Sequence, residues 1–268
     1  MGEFFFRLYL LYTTKIPLAR GKYTFARILK FFFGSIFVTT KYNFKIKVFP
    51  TSTQDMSFFS EKSNDVIVNE VLKLKKGDVF IDIGANIGFV SILASKQVGE
   101  NGKVFSFEPS FREYGRLIDA LMINSIGNVR AYNCAIGDFQ GEINLSVSKI
   151  HTGINRIGKH KLDNTKDSVP QVVIPIFQLD MLLDYLNNSK IDLMKIDIEG
   201  AEFHALKGAT QLLKNGVIKK IVIEITPKFL REFGVIKEDI YNFLKLYKYY
   251  PLVNSDEWQY DEIFELRY

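Results

Sequence analysis

Three acids, Asp197, Glu199 and Glu202, fall within six positions of one another and beside Lys195 in the run MKIDIEGAE. Carboxyls crowded in this way titrate as a coupled set and raise one another's pKa, which suits a general base acting on a hydroxyl proton. Alternation along an extended chain puts Lys195, Asp197 and Glu199 on one side and Ile196 and Ile198 on the other. Lys195 is then a charge partner for Asp197 or a contact for a substrate. The same acids, joined by Glu224, could instead hold Mg²⁺ through oxygen ligands and water, although no dedicated metal site is assigned. Glu202 falls in the first turn of a helix, where an acid meets the positive end of the helix dipole. His151, Asn155 and Arg156 lie in a polar stretch and, with Glu224, are candidate substrate contacts, whereas His204, inside a helical run, reads as an ordinary half-buried histidine.

A second constellation lies upstream. The apolar run Val79–Ile83 ends in Asp82-Ile83-Gly84-Ala85-Asn86-Ile87-Gly88 and leads straight into a helical pattern. Gly84 and Gly88 allow a tight turn and a close backbone approach to a ligand. A dinucleotide loop would read G-x-G-x-x-G and lay pyrophosphate on the helix N-terminus; here Asn86 replaces the second glycine. Asp82, expected at the lip of the pocket, would repel pyrophosphate but suits an ammonium group. The methionine part of S-adenosylmethionine carries one, so the turn favours that methyl donor over NAD. Glu108 follows Asp82 by 26 residues and closes the next apolar run, Val104–Phe107. There it can accept hydrogen bonds from both ribose hydroxyls.

These residues need a scaffold that gathers strand ends. Apolar β-rich runs at 79–83, 103–107, 129–136, 191–198 and 219–225 alternate with helical patterns at 89–98, 111–124, 202–213 and 236–246. Such alternation builds βαβ units on a mostly parallel sheet, which binds ligands beyond the C-terminal ends of its strands. Residues 142–147 read as the return arm of a hairpin, and 148–168 as a long loop able to act as a lid.

The charge balance of the 268 residues is +5, unevenly spread. Residues 1–60 carry nine Lys or Arg against Glu3 and Asp55, a balance of +7, and hold twelve of the 24 phenylalanines. The mildly acidic remainder argues against a nucleic-acid partner. The apolar stretches 4–12 and 31–38 are too short or too interrupted to span a bilayer core of about 30 Å. The leader is therefore expected to pack on residues 61–268 as an N-terminal extension, with peripheral contact to an anionic membrane as the alternative. The single cysteine, Cys134, reads as a core residue and suits a reducing, cytoplasmic compartment.

VFIDIGANIG, VFSFEP and MKIDIEGAE, in this order and each at a strand end, resemble the FkbM-type methyltransferases. The likeness covers about residues 64–230 and touches Ile16–Lys22 of the leader. It implies the class I methyltransferase (Rossmann-like) fold: a seven-stranded, mostly parallel sheet with helices on both faces and one reversed strand at the C-terminal edge. It also implies S-adenosyl-L-methionine as cofactor and O-methylation of a sugar, glycan or natural-product hydroxyl. The competing readings are a catalytically silent methyltransferase-like binding module and an NAD-linked oxidoreductase.

Overall fold

The computed structural model describes residues 2–15, 22–52, 55, 66–148, 155–158, 170–186, 189–252, 255 and 257–267. Their order begins with helices α1 (Gly2–Lys15) and α2 (Lys22–Phe33) and a hairpin, β1 (Ile36–Thr39) and β2 (Lys45–Val48). There follow β3 (Val79–Ile83), β4 (Lys103–Phe107), β5 (Val129–Tyr132), β6 (Ala135–Ile136), β7 (Gly141–Ser146), β8 (Arg156–Ile157) and β9 (Gln171–Phe177). The last strands are β10 (Leu193–Ile196), β11 (Lys220–Ile225), β12 (Tyr249–Pro251) and β13 (Tyr260–Leu266).

Seven of the described strands form one sheet in the order β12-β13-β11-β10-β3-β4-β5. β11, β10, β3, β4 and β5 run parallel, and β13 is antiparallel to both its neighbours. This is the class I methyltransferase topology. The reversed strand is second from the edge, with β12 outside it, rather than the edge strand itself. Strand order reverses between β3 and β10, which opens a crevice at their C-terminal ends.

Strand alternation sorts the core into two layers. Ile81, Ile83, Phe105, Phe107, Ile196 and Ile223 face one side with Leu206 and Leu212. Phe80, Val104, Leu193 and Val222 face the other, with Ile92 and Leu117 from the helices Phe89–Val98 and Phe111–Ile123. Phe6, Leu29, Phe44 and Ile46 join this second layer, and the Phe44 ring meets Phe89 edge-on at 5.3 Å. Polar anchors fix the same contact. Asn124 exchanges hydrogen bonds with the Lys45 backbone at 2.7 and 2.6 Å, and the buried Arg116 pairs with Asp55 at 2.6 Å.

One expected strand divides. Residues 129–136 form β5 in the main sheet and β6 in a second, four-stranded sheet ordered β6-β9-β7-β8. Asn133 makes the turn between them, its Nδ2 donating to the Glu108 and Pro109 carbonyls at 2.8 and 3.1 Å. The expected hairpin arm, β7, pairs with β9 and β8 instead. The expected single helix over 202–213 breaks into Glu202–Lys207 and Thr210–Lys214.

Candidate active site

A cavity of about 230 Å³ opens at the switch point. The β3 turn supplies Gly84 and Asn86, the end of β4 Glu108, and β10 and β11 supply Asp197, Glu199 and Glu224. Its roof is the small sheet, through Ala135, Ile136, Leu145 and Ile157. That roof escapes sequence reasoning because the insertion has no signal of its own beyond the alternation of β7.

The β3 turn is fixed by backbone. Gly84 and Ala85 both donate to the Phe107 carbonyl at 3.0 Å. Gly84 has φ +83°, and a Cβ there would lie 1.9 Å from the Asp197 carbonyl oxygen. Only glycine fits, on both counts. Asn86, at φ +50°, donates its backbone N–H to Glu108 Oε2 at 2.8 Å, while Ser110 N–H donates to Oε1 at 2.8 Å. Burial outweighs these donors and pushes the Glu108 carboxyl up to about 8.

Two of the expected ligand contacts lie elsewhere. Asp82 is fully buried and does not line the cavity. β3 is covered on both faces, and position 82 falls on the helix-covered layer. There Asp82 Oδ2 accepts from Ser91 Oγ at 2.6 Å, and Oδ1 pairs with Lys195 at 3.2 Å. Gly88, at φ +86°, caps the following helix and packs on Leu117, where a Cβ would come within 2.3 Å of Leu117 Cδ1. It shapes the turn without touching the cavity.

Lys195 ties the two constellations together. Its buried ammonium lies 3.2 Å from Asp82 and 3.3 Å from Asp197, and donates to the Gly84 carbonyl at 2.9 Å. Burial pulls its pKa down, but Asp197 and Asp82 outweigh that and hold it above the ordinary lysine value. It is a permanent cation and serves as charge partner.

The acid cluster divides by environment. Burial, then the neighbouring Asp197, pushes Glu199 up to about 8. Burial and the charges of Asp197 and Glu199 push Glu224 up to about 9, although Gln259 Nε2 donates to it at 2.6 Å. Glu202 accepts the Ile198 and Gly200 N–H groups at 3.1 and 3.0 Å, so it holds the turn after β10; burial still lifts it to about 7. Asp197 is more open, with 39% of its side chain exposed. It also lines a second cavity of about 220 Å³, together with Glu224, Lys195 and Asp261.

Of the loop candidates, Asn155 lines the first cavity, held by Ser148 N–H at 3.0 Å and by its own donation to Glu113 at 3.1 Å. Arg156 is buried over the Phe229 ring at 3.5 Å and pairs with Glu232 at 3.0 Å, so it braces β8. His151 lies outside the described residues. His204 pairs with Asp138 at 3.1 Å, away from the cavity. Burial pushes the Cys134 thiol up to about 12, which leaves it an inert part of the wall. Gln259, which no sequence pattern distinguishes, is a site residue by position alone.

The chain matches the family model described as the methyltransferase FkbM domain over residues 82–251. It belongs to the FkbM methyltransferase family. Among curated relatives of this FkbM methyltransferase, methyltransferase sdnD of Sordaria araneosa is 26% identical over 179 residues, covering 56% of this chain and 69% of that protein. Hexuronic acid methyltransferase AglP of Haloferax volcanii is 30% identical over 166 residues, covering 61% of this chain and 64% of its own length. The crystal structure of methyltransferase FkbM from Methylobacillus flagellatus is 16% identical with a TM-score of 0.46, covering 72% of this chain and 44% of that one.

The chain is thus an S-adenosylmethionine-dependent methyltransferase, and the NAD-linked alternative is set aside. The cavity fits such a donor. Glu108 offers a carboxyl group at its wall, and the buried Asn86 Oδ1 has no hydrogen-bond partner among the described residues. Among the described residues no group of three acids, histidines or cysteines is arranged to hold a metal.

Proposed function

We propose that the enzyme methylates a hydroxyl oxygen of an uncharged, polyhydroxylated acceptor, a sugar or a natural-product polyol. The observation that supports this is the wall shared by the two cavities, formed by Asp197 and Glu224. The first cavity has the donor features, Gly84, Asn86 and Glu108, so the second is the acceptor's side. When bound, S-adenosylmethionine supplies a methyl group already activated on a sulfonium. The protein's remaining tasks are alignment and removal of the hydroxyl proton. Asp197 is the base in this reading: Lys195 holds Oδ2, leaving Oδ1 for the acceptor. Glu224, steadied by Gln259, and Asp261 accept further hydroxyl donors, whereas an acceptor carboxylate or phosphate would meet the acids Asp197 and Asp261. Glu108 receives the donor's ribose and Glu199 faces its cationic end.

The Haloferax volcanii relative is named for a hexuronic acid. The acidic wall of this chain points to neutral sugars instead. A panel of neutral sugars, amino sugars and uronic acids incubated with labelled donor tests this, with the methylated atom located by mass spectrometry. O-methylation of neutral acceptors is the expected result. Preferential turnover of uronic acids, or methyl on nitrogen, would refute it, and donor binding with no turnover on any acceptor returns the silent-module reading. Lys195 already places a cation beside Asp197, and activity is expected to persist in EDTA.

A further inference from the structure

The N-terminal helices bury one face and present a second apolar face outward. On α1, Phe6 and Tyr9 are buried while Phe4, Phe5 and Leu8 are exposed. On α2, Ala26 and Leu29 are buried, whereas Ile28, Phe31 and Phe32 project outward, the two rings 84% and 71% exposed. Positions 28, 31 and 32 share one side of a helix, opposite 26 and 29. The side turned away from the core, where a water-facing helix carries polar residues, is therefore aromatic.

The rings contact one another in two groups, one bridging the helices through the half-buried Phe33 and one at the exposed end of α2. Phe4 meets Phe5 edge-on at 5.7 Å, Phe5 stacks with Phe33 at 6.2 Å, and Phe31 meets Phe32 at 5.3 Å. Cations flank it. Arg27 and Lys30 border Phe31 on α2, both exposed and neither paired with an acid among the described residues. Arg7 stands beside Leu8 on α1, although it also pairs with Glu3 at 2.9 Å. No described helix is long and apolar enough to cross a membrane.

We propose that the α1–α2 hairpin is a docking surface for a membrane rich in anionic lipid, with the phenylalanines entering the acyl boundary and Arg27 and Lys30 lying among the headgroups. Large aromatic side chains ringed by cations fit that occupant, since the apolar area inserts and the charge is complementary. A second copy of this chain would bring Arg27 and Lys30 toward their own duplicates, which like-charge repulsion disfavours. The surface belongs to the leader and uses no residue of the cavity, so it stands whether or not the acceptor is a sugar.

The test is sedimentation of the full-length protein with vesicles of phosphatidylcholine alone and of phosphatidylcholine mixed with phosphatidylglycerol. Pelleting with the anionic vesicles only, reversed at high salt, is expected. Phe31→Ser with Phe32→Ser should lower vesicle binding by about 10-fold or more, with S-adenosylhomocysteine affinity unchanged because both rings lie outside the core. Arg27→Gln with Lys30→Gln should flatten the salt dependence. Wild-type protein that ignores anionic vesicles, or a phenylalanine variant that pellets like wild type, overturns the proposal. So does a full-length dimer in light scattering that those same substitutions turn into a monomer, because the surface would then serve a second copy.

Discussion

In the proposed reading the site has a donor end and an acceptor end, and the two are built on opposite principles. Around β3 and β4 the geometry is set by backbone: two N–H groups on the Phe107 carbonyl, two on the Glu108 carboxylate, and glycine at a position with no room for a Cβ. Around β10 and β11 it is set by side chains: Glu199 and Glu224 carry raised pKa values, and Asp197 stays partly open to solvent. One end is rigid, as recognition of a constant ligand requires. The other is charged, titratable and able to change partners during a reaction.

The comparison breaks most completely at Gly84, where the two ends touch. Gly84→Ala would force a methyl group against the Asp197 carbonyl at a left-handed φ. Both ends should fail together, with donor binding lost in calorimetry and a large fall in thermal stability. A variant that binds S-adenosylhomocysteine normally would show that the turn is not the rigid element described.

Asp197→Asn should separate the ends. Turnover is expected to fall by roughly 10²-fold, the scale of losing a general base, with donor affinity within a few-fold of wild type. Retained turnover would move the base to Glu199. Glu108→Ala makes the complementary cut. It should weaken donor binding about 10-fold or more through loss of hydrogen bonds to the ribose, while the fold, read by circular dichroism, stays intact.

The smallest expected effect concerns pH. Glu199 and Glu224 are neutral below their raised pKa values of about 8 and about 9, and ionise as pH rises through them. A sulfonium gains from their charge, whereas the uncharged sulfur of S-adenosylhomocysteine does not. Preference for donor over product should therefore grow a few-fold between pH 7 and pH 9, at about 1.4 kcal/mol per tenfold. The shared contribution of Glu108 cancels in that ratio. Glu199→Gln should reduce the rise, and an unchanged profile would place Glu199 away from the sulfonium.

The same contrast explains what could be read from the sequence. β3, β4 and β10 are covered on both faces, so they appear as largely apolar runs that end in glycine or acid, and their ends announce the cavity. That double burial also hid the direction of Asp82, because no alternation between polar and apolar marks which layer it enters. β5 and β6 read as one strand because both are short and β-rich; the change of sheet depends on Asn133 reaching the Glu108 carbonyl, a contact distant in sequence. Gln259 was illegible for a similar reason, since its partner Glu224 lies 35 positions earlier. The leader's phenylalanines were visible as a group, but their division into buried and outward faces required the packing of α1 on α2.

The contact between Gly84 and Asp197 also constrains how such an enzyme can diverge. With the β3 turn pressed against the end of β10, neither can move without the other, so the proposed donor turn and the proposed base are inherited as one block. The outer roof strands β7 and β8, whose Leu145 and Ile157 pack in the small sheet's own cluster, and the chain around Gln259 make no comparable demand on the core. New acceptors can therefore be acquired by rewriting β7, β8 and the approach to β13, where loss of fit costs selectivity without costing the reaction. In a laboratory library, diversity placed in those segments should yield altered substrates, while diversity at the β3–β10 junction should yield mostly inactive chains.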